Sequence, residues 1–177
     1  DPGFKIGLKV EDDIKDFSNT VKTFKTNNGF TWIIPKGNYI EYGILEEKEN
    51  IKKEWKAFGK VGKRSSFAII PQGLVLADSN KYALVGDATG LTKPWSGGGI
   101  IWQLYEAEML VKHFPDFKRY NRDVKKFFLF FIIKGKIANK LVHFVGNNLS
   151  FLVPSYIKYD NDFPCFLKSL FASNQKK

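Results

Sequence analysis

Three consecutive glycines, Gly97-Gly98-Gly99, run directly into an apolar-periodic stretch at 100–114, and this junction constrains the fold more than any other segment. Bare Cα positions feeding a helix let a ligand lie close to backbone whose first N–H groups have no intrahelical partner. The same terminus carries the positive end of the helix dipole, so an anionic or electron-rich ligand belongs there. Upstream, residues 83–85 read as a buried strand that delivers Gly86-Asp87-Ala88, with Gly90 and Pro94 in the loop that follows. Glycine at 86 admits a ligand to the backbone, and the Asp87 carboxylate offers two acceptors to sugar-alcohol hydroxyls. A Gly-Asp pair alone is an ordinary turn; the ordered string of strand, Gly-Asp-Ala, proline, glycine triplet and helix points to a site.

The chain has 177 residues, 44% of them hydrophobic, enough to bury one core or somewhat more. Its longest apolar run, 127–133, falls far short of the roughly 20 residues a bilayer-spanning helix needs. The beginning, Asp1-Pro2-Gly3-Phe4-Lys5, shows neither an initiator Met nor a secretion signal and reads as a start inside a longer chain. One cysteine, Cys165, cannot close an intrachain disulfide, and two histidines leave little for a metal site, so a reducing, cytoplasmic setting is expected. The formal charge of +10 brings in two further partners, nucleic acid and an anionic membrane surface.

Residues 7–11 alternate weakly, as an edge strand would. Segments 21–24 and 30–34 are rich in β-branched and aromatic residues, and 35–38 supply a turn from which 39–45 runs back as a hairpin. Ile51, Trp55 and Phe58 place one apolar face on a helix over 46–58, ended by Gly59. A strand at 67–73, a short strand or extended loop at 74–76, and a helix over 98–114 follow. Residues 117–139 and 141–152 have helical spacing and are expected to pack as a helix pair. The resulting fold class is α/β, or an α+β fragment, in three parts: an antiparallel sheet with a helix (1–73), a ligand-binding half-domain (74–115) and a C-terminal helical region (116–177).

Over 30–114 the sequence resembles the FAD-dependent oxidoreductases with the p-hydroxybenzoate hydroxylase type of fold, and among them the geranylgeranyl reductases, including archaeal enzymes acting on isoprenoid ether lipids. That family binds its flavin through Gly-Asp-Ala-x-Gly, a proline and Gly-x-Gly-Ile. Gly86, Asp87, Ala88, Gly90, Pro94, Gly97, Gly99 and Ile100 stand at those positions, with Gly98 between them. The resemblance implies FAD as cofactor, Asp87 on the ribityl chain, and the amides of 97–100 at the ring. A Tyr-x-Trp-x-Phe-Pro-Lys-Gly element beside the reductases' lipid pocket is matched by Phe30-Thr31-Trp32-Ile33-Ile34-Pro35-Lys36-Gly37, in which Phe30 replaces the tyrosine and Ile34 the phenylalanine. Phe30, Trp32, Pro35 and Lys36 become expected substrate contacts, and Trp95, inside the ring loop, joins them.

The family's opening Gly-x-Gly-x-x-Gly segment has no counterpart here, which implies a missing N-terminal dinucleotide-binding segment as a partner. The implied activity is saturation of double bonds in an isoprenoid or lipid substrate, with no catalytic base identifiable. A flavin monooxygenase of the same fold is the alternative. A basic nucleic-acid-binding module built on 117–151 is disfavoured because it leaves the glycine triplet unexplained. The lysines among the aromatics of 125–151 also suit peripheral contact with an anionic membrane. Lys93 is expected to be solvated, and His113 and His143 to lie at a helix end and on a helix face.

Overall fold

A computed structural model describes residues 3–149 and 151. Five antiparallel strands form one sheet in the order β2-β3-β4-β1-β5, with β1 Gly3–Asp12, β2 Lys22–Lys25, β3 Phe30–Pro35, β4 Ile40–Glu46 and β5 Arg64–Gln72. The expected hairpin is β3–β4, in a register that pairs Trp32 with Gly43 and Phe30 with Leu45. Contrary to the edge position expected for 7–11, β1 is paired on both sides, with β4 and β5. Its charged residues are matched across the ladder: Lys9 Nζ lies 3.1 Å from a carboxylate oxygen of Glu41, and Glu11 accepts from Arg64 at 3.0 Å.

One face of the sheet is covered by α1 Ile51–Phe58, which begins later than expected because residue 46 still belongs to β4. Trp55, Phe58 and Ile33 pack there on Val10, Ile40 and Tyr42, and Gly59 ends the helix in the left-handed region. The other face carries Phe30, Trp32 and Leu45, because side chains alternate along a strand. On this face a Cβ at Gly43 would fall 2.1 Å from the Trp32 ring, so the glycine makes room for the indole.

Residues 83–85 do not form the expected strand. Their segment has no partner strand among the described residues, and the Leu84 carbonyl instead accepts the Tyr120 hydroxyl at 2.8 Å. The extended residues 74–76 lie beside the same loop, with Val75 N–H donating to Thr89 O at 2.8 Å. A 3₁₀ turn at Gly86–Thr89 leads through the glycine loop to α2 Ile100–His113. The expected helix pair is a single 32-residue helix, α3 Phe117–Asn148, started by Asp116, whose side chain accepts the Arg119 N–H. Leu91, Trp102, Tyr120, Val124, Phe128 and Ile132 form the core between the loop, α2 and α3. The tail, including Cys165, lies outside the described residues. Among those described, no helix is long and apolar enough to cross a membrane.

Candidate functional site

Gly86 opens the 3₁₀ turn with φ of 68°, a conformation in which an L side chain is strained. Its N–H donates to Glu106 Oε2 at 2.8 Å, and the Thr89 hydroxyl, donating to Gly86 O at 2.7 Å, lies 3.2 Å from the same carboxylate oxygen. Glu106 is wholly buried on α2, and burial pushes its carboxyl pKa up, opposed by the Gly86 N–H. The Gly-Asp turn is therefore bolted from beneath to the second turn of the helix. Above it, Asp87 and Ala88 are exposed.

The loop that follows is closed by its own backbone. Lys93 N–H donates to Gly98 O and Gly97 N–H to Lys93 O, both at 2.9 Å. Gly97 has φ of 68°, and a Cβ there would stand 2.9 Å from Leu45 Cδ2 and 3.3 Å from Ile70 Cγ2, so the loop rests directly on the sheet face that carries Phe30 and Trp32. The Gly97 amide, expected to face a ligand, is thus committed inside the loop, and Gly98 N–H reaches Ser96 Oγ at 3.3 Å. The open donors begin at the helix itself. Gly99 is its N-cap without a side-chain cap, and the first intrahelical bond runs from Gln103 N to Gly99 O. The N–H groups of Ile100, Ile101 and Trp102 consequently have no intrahelical partner; Ile100 is exposed, whereas Trp102 is fully buried and its N–H is closed to a ligand.

Asp87 and this amide rim converge, and Gln103 measures how closely. Its Nε2 donates to Asp87 Oδ1 at 2.6 Å, while a Cβ on Gly99 would fall only 2.5 Å from the same nitrogen. A single glutamine amide therefore spans the gap between the carboxylate and the glycine N-cap. Gln103 and Glu106 were not singled out in the sequence, although both lie one or two turns into the helix after the triplet, where a side chain points back toward the N-terminus. The donor set suits the pyrimidine edge and hydroxyl chain of a flavin: an exposed carboxylate acceptor, uncapped amides and a glycine with no Cβ. Among the described residues there is no cluster of metal-ligating side chains.

The remaining expected residues are distributed unevenly. Gly90, with φ of 70°, packs against Pro71 and accepts the Gly73 N–H, and so serves the turn rather than the rim. Ile100 is 76% exposed at the first helical position. Trp95 turns inward: its ring lies 5.9 Å from that of Trp102, and both Trp95 and Pro94 press on Gly135 of α3. Lys93, expected to be solvated, is buried at 6% exposure. Phe30 and Trp32 share the sheet face that meets the loop, with ring centroids 5.8 Å apart, and Trp32 Nε1 donates to Glu41 at 2.9 Å. Pro35 and Lys36 lie at the opposite end of β3, about 17 Å of extended chain from Phe30, and the structure does not bring them to the loop. His113 ends α2 and contacts Asp123 at 3.0 Å, and His143 lies half-buried on α3.

No protein-family model and no curated protein matches the sequence. Solved structures do match. A tryptophan 6-halogenase from Streptomyces toxytricini is similar at 19% identity over 67% of this chain and 28% of its own, with a TM-score of 0.52. The flavin-dependent halogenase CmlS is similar at 13% identity over 95% of this chain and 38% of its own, with a TM-score of 0.51. The chain thus spans well under half the length of either. At these identities the likeness is one of fold: an antiparallel sheet with C-terminal helices, as in a fragment of the flavin-dependent halogenase architecture.

Proposed function

We propose that this chain supplies the ring-side half of an FAD site and the adjoining substrate sheet of a flavin-dependent oxidoreductase. The observation that carries this reading is the convergence of Asp87 and the uncapped start of α2 within the span of the Gln103 amide. FAD, when bound, supplies the redox chemistry. Asp87 accepts hydrogen bonds from the ribityl hydroxyls, and the N–H groups at the start of α2 face the electron-rich edge of the ring. Gln103 either gives up its place beside Gly99 or donates to the cofactor. Leu45 and Ile70, closed against Gly97, keep water from the sheet side, where Phe30 and Trp32 offer an aromatic surface to an apolar substrate.

Within this class, the Gly-Gly-Gly-Ile string and the Trp-x-x-Pro-Lys-Gly element favour a geranylgeranyl reductase-like saturation of double bonds in an isoprenoid or lipid. The fold likeness to two halogenases favours the second reading, oxygen-dependent chemistry of the monooxygenase type. The class is tested by flavin content: full-length protein should purify with FAD, and Asp87→Ala should lower the flavin-to-protein ratio and weaken binding roughly tenfold, the loss of about one good hydrogen-bonded contact. Equal retention in both proteins would defeat the assignment. Oxygen uptake coupled to turnover then separates the two readings, since an alkene reductase consumes none.

A further inference from the structure

A cavity of about 410 Å³ lies between the sheet and α3, separate from the Asp87 rim. Its floor is the start of β1 and the β2–β3 turn, its roof is the C-terminal half of α3, and Pro94 of the glycine loop forms part of its wall. Three lysines line it, Lys5, Lys136 and Lys140, together with His143. Lys5 is 7% exposed, and its Nζ donates to Asn28 O at 2.5 Å, which leaves ammonium protons for a further acceptor. Burial lowers the Lys5 pKa, against the pull of Glu46 and Glu47.

The opposing charges are accounted for. Glu47, also in the lining, accepts from Asn28 Nδ2 at 2.8 Å. Glu46 is fully buried behind it and accepts from the Thr26 hydroxyl and the amides of Asn28 and Glu47. Lys25 stands close enough to act on His143, whose pKa is lowered first by burial and then by the charges of Lys5 and Lys25. Four lysines against two glutamates leave two positive charges in excess around the cavity. Residues 124–148 contain no acidic residue, and among the described residues neither Lys136 nor Lys140 has a salt-bridge partner. Phe4, Phe144 and Pro94 supply apolar wall on the same cavity.

We propose that this cavity binds the phosphate head of an amphipathic phosphate ester, with Lys5 and Lys140 as its principal cations and the apolar chain running along Phe144 toward Pro94. Lysines act as point charges on phosphate, and no arginine offers the planar fork that suits a carboxylate. The direction of the apolar chain rests on the flavin reading, because Pro94 belongs to the ring loop; the binding of the head does not.

Calorimetric titration of the full-length protein with decyl phosphate tests this. Lys5→Met and Lys140→Gln should each weaken binding roughly tenfold, whereas Lys126→Gln, which removes the same charge from an exposed position outside the cavity, should change it less than twofold. Asp87→Ala should lose flavin yet keep decyl phosphate affinity, so a failed flavin site and a failed phosphate site give different results. Equal losses from Lys126→Gln and Lys140→Gln would overturn the proposal. So would binding to phosphatidic acid vesicles without binding to soluble decyl phosphate, since that locates the interaction on a lipid surface. Lys140 is exposed, so its substitution remains informative if Lys5→Met fails to fold.

Discussion

Glu106 has a carboxyl whose charged form the fold does not welcome. Its Oε2 accepts the Gly86 N–H, while Oε1 is buried without a hydrogen-bond partner among the described residues. Burial dominates and raises its pKa. A carboxyl whose folded pKa is raised contributes stability that is fully present below the unfolded value, about 4.3, and is lost as pH rises through the folded value. Glu106→Gln keeps an acceptor for Gly86 and removes the ionisation. Chemical denaturation of both proteins across pH 4–8 should therefore show the variant gaining on the parent as pH rises, with the difference levelling off above the folded pKa. Parallel curves would mean that the buried carboxyl ionises without cost. Gln103, one turn earlier, does the complementary task of holding Asp87 over the rim.

Helix α3 packs closely on the glycine loop where Gly135 lacks a side chain. A Cβ at Gly135 would fall 2.8 Å from Trp95 Cζ3, closer than real contacts allow, and 3.2 Å from Pro94 Cγ, tighter than most. Gly135→Ala gains about 1 kcal/mol of helix propensity but costs about 1–3 kcal/mol of overpacking, so a net loss of stability is expected. Thermal unfolding checks this, and adding Trp95→Leu should recover part of the loss, because the two changes share one contact. This contact also shows what local pattern could and could not reveal. The β3–β4 hairpin and α2 were legible because alternation, turn residues and a glycine start are all local signals. Nothing local marks Gly135 as a packing site or turns Trp95 inward. Lys9 and Glu11 gave β1 the look of an edge, because their partners Glu41 and Arg64 are distant in sequence. Residues 83–85 have a strand's composition but no partner strand among the described residues, and the Tyr120 hydroxyl, far along the chain, holds the Leu84 carbonyl instead.

At the scale of the whole molecule, apolar surface is distributed unequally. Strand β5 is the sheet's edge beyond β1, and on the face shared with α1 its Phe67 and Ile69 are 72% and 62% exposed. Helix α1 packs over β4, and neither residue belongs to the cluster beneath it. An edge with unpaired backbone groups and bare aromatic and β-branched side chains is a template for pairing with another strand, and no proline or lysine interrupts 65–70 to oppose it. The net charge of +10 resists association at long range, but salt screens that repulsion over about 10 Å at 0.1 M, while strand pairing acts at contact. Light scattering of this 177-residue chain should therefore show a mass that rises with concentration, and more steeply as salt is added. Phe67→Lys, at an exposed position that faces no packed neighbour in the core, should suppress that rise with little change in unfolding midpoint. An unchanged mass profile in the variant would place the association elsewhere, and α3 exposes Phe130, Ile133 and Ile137 as a second apolar surface.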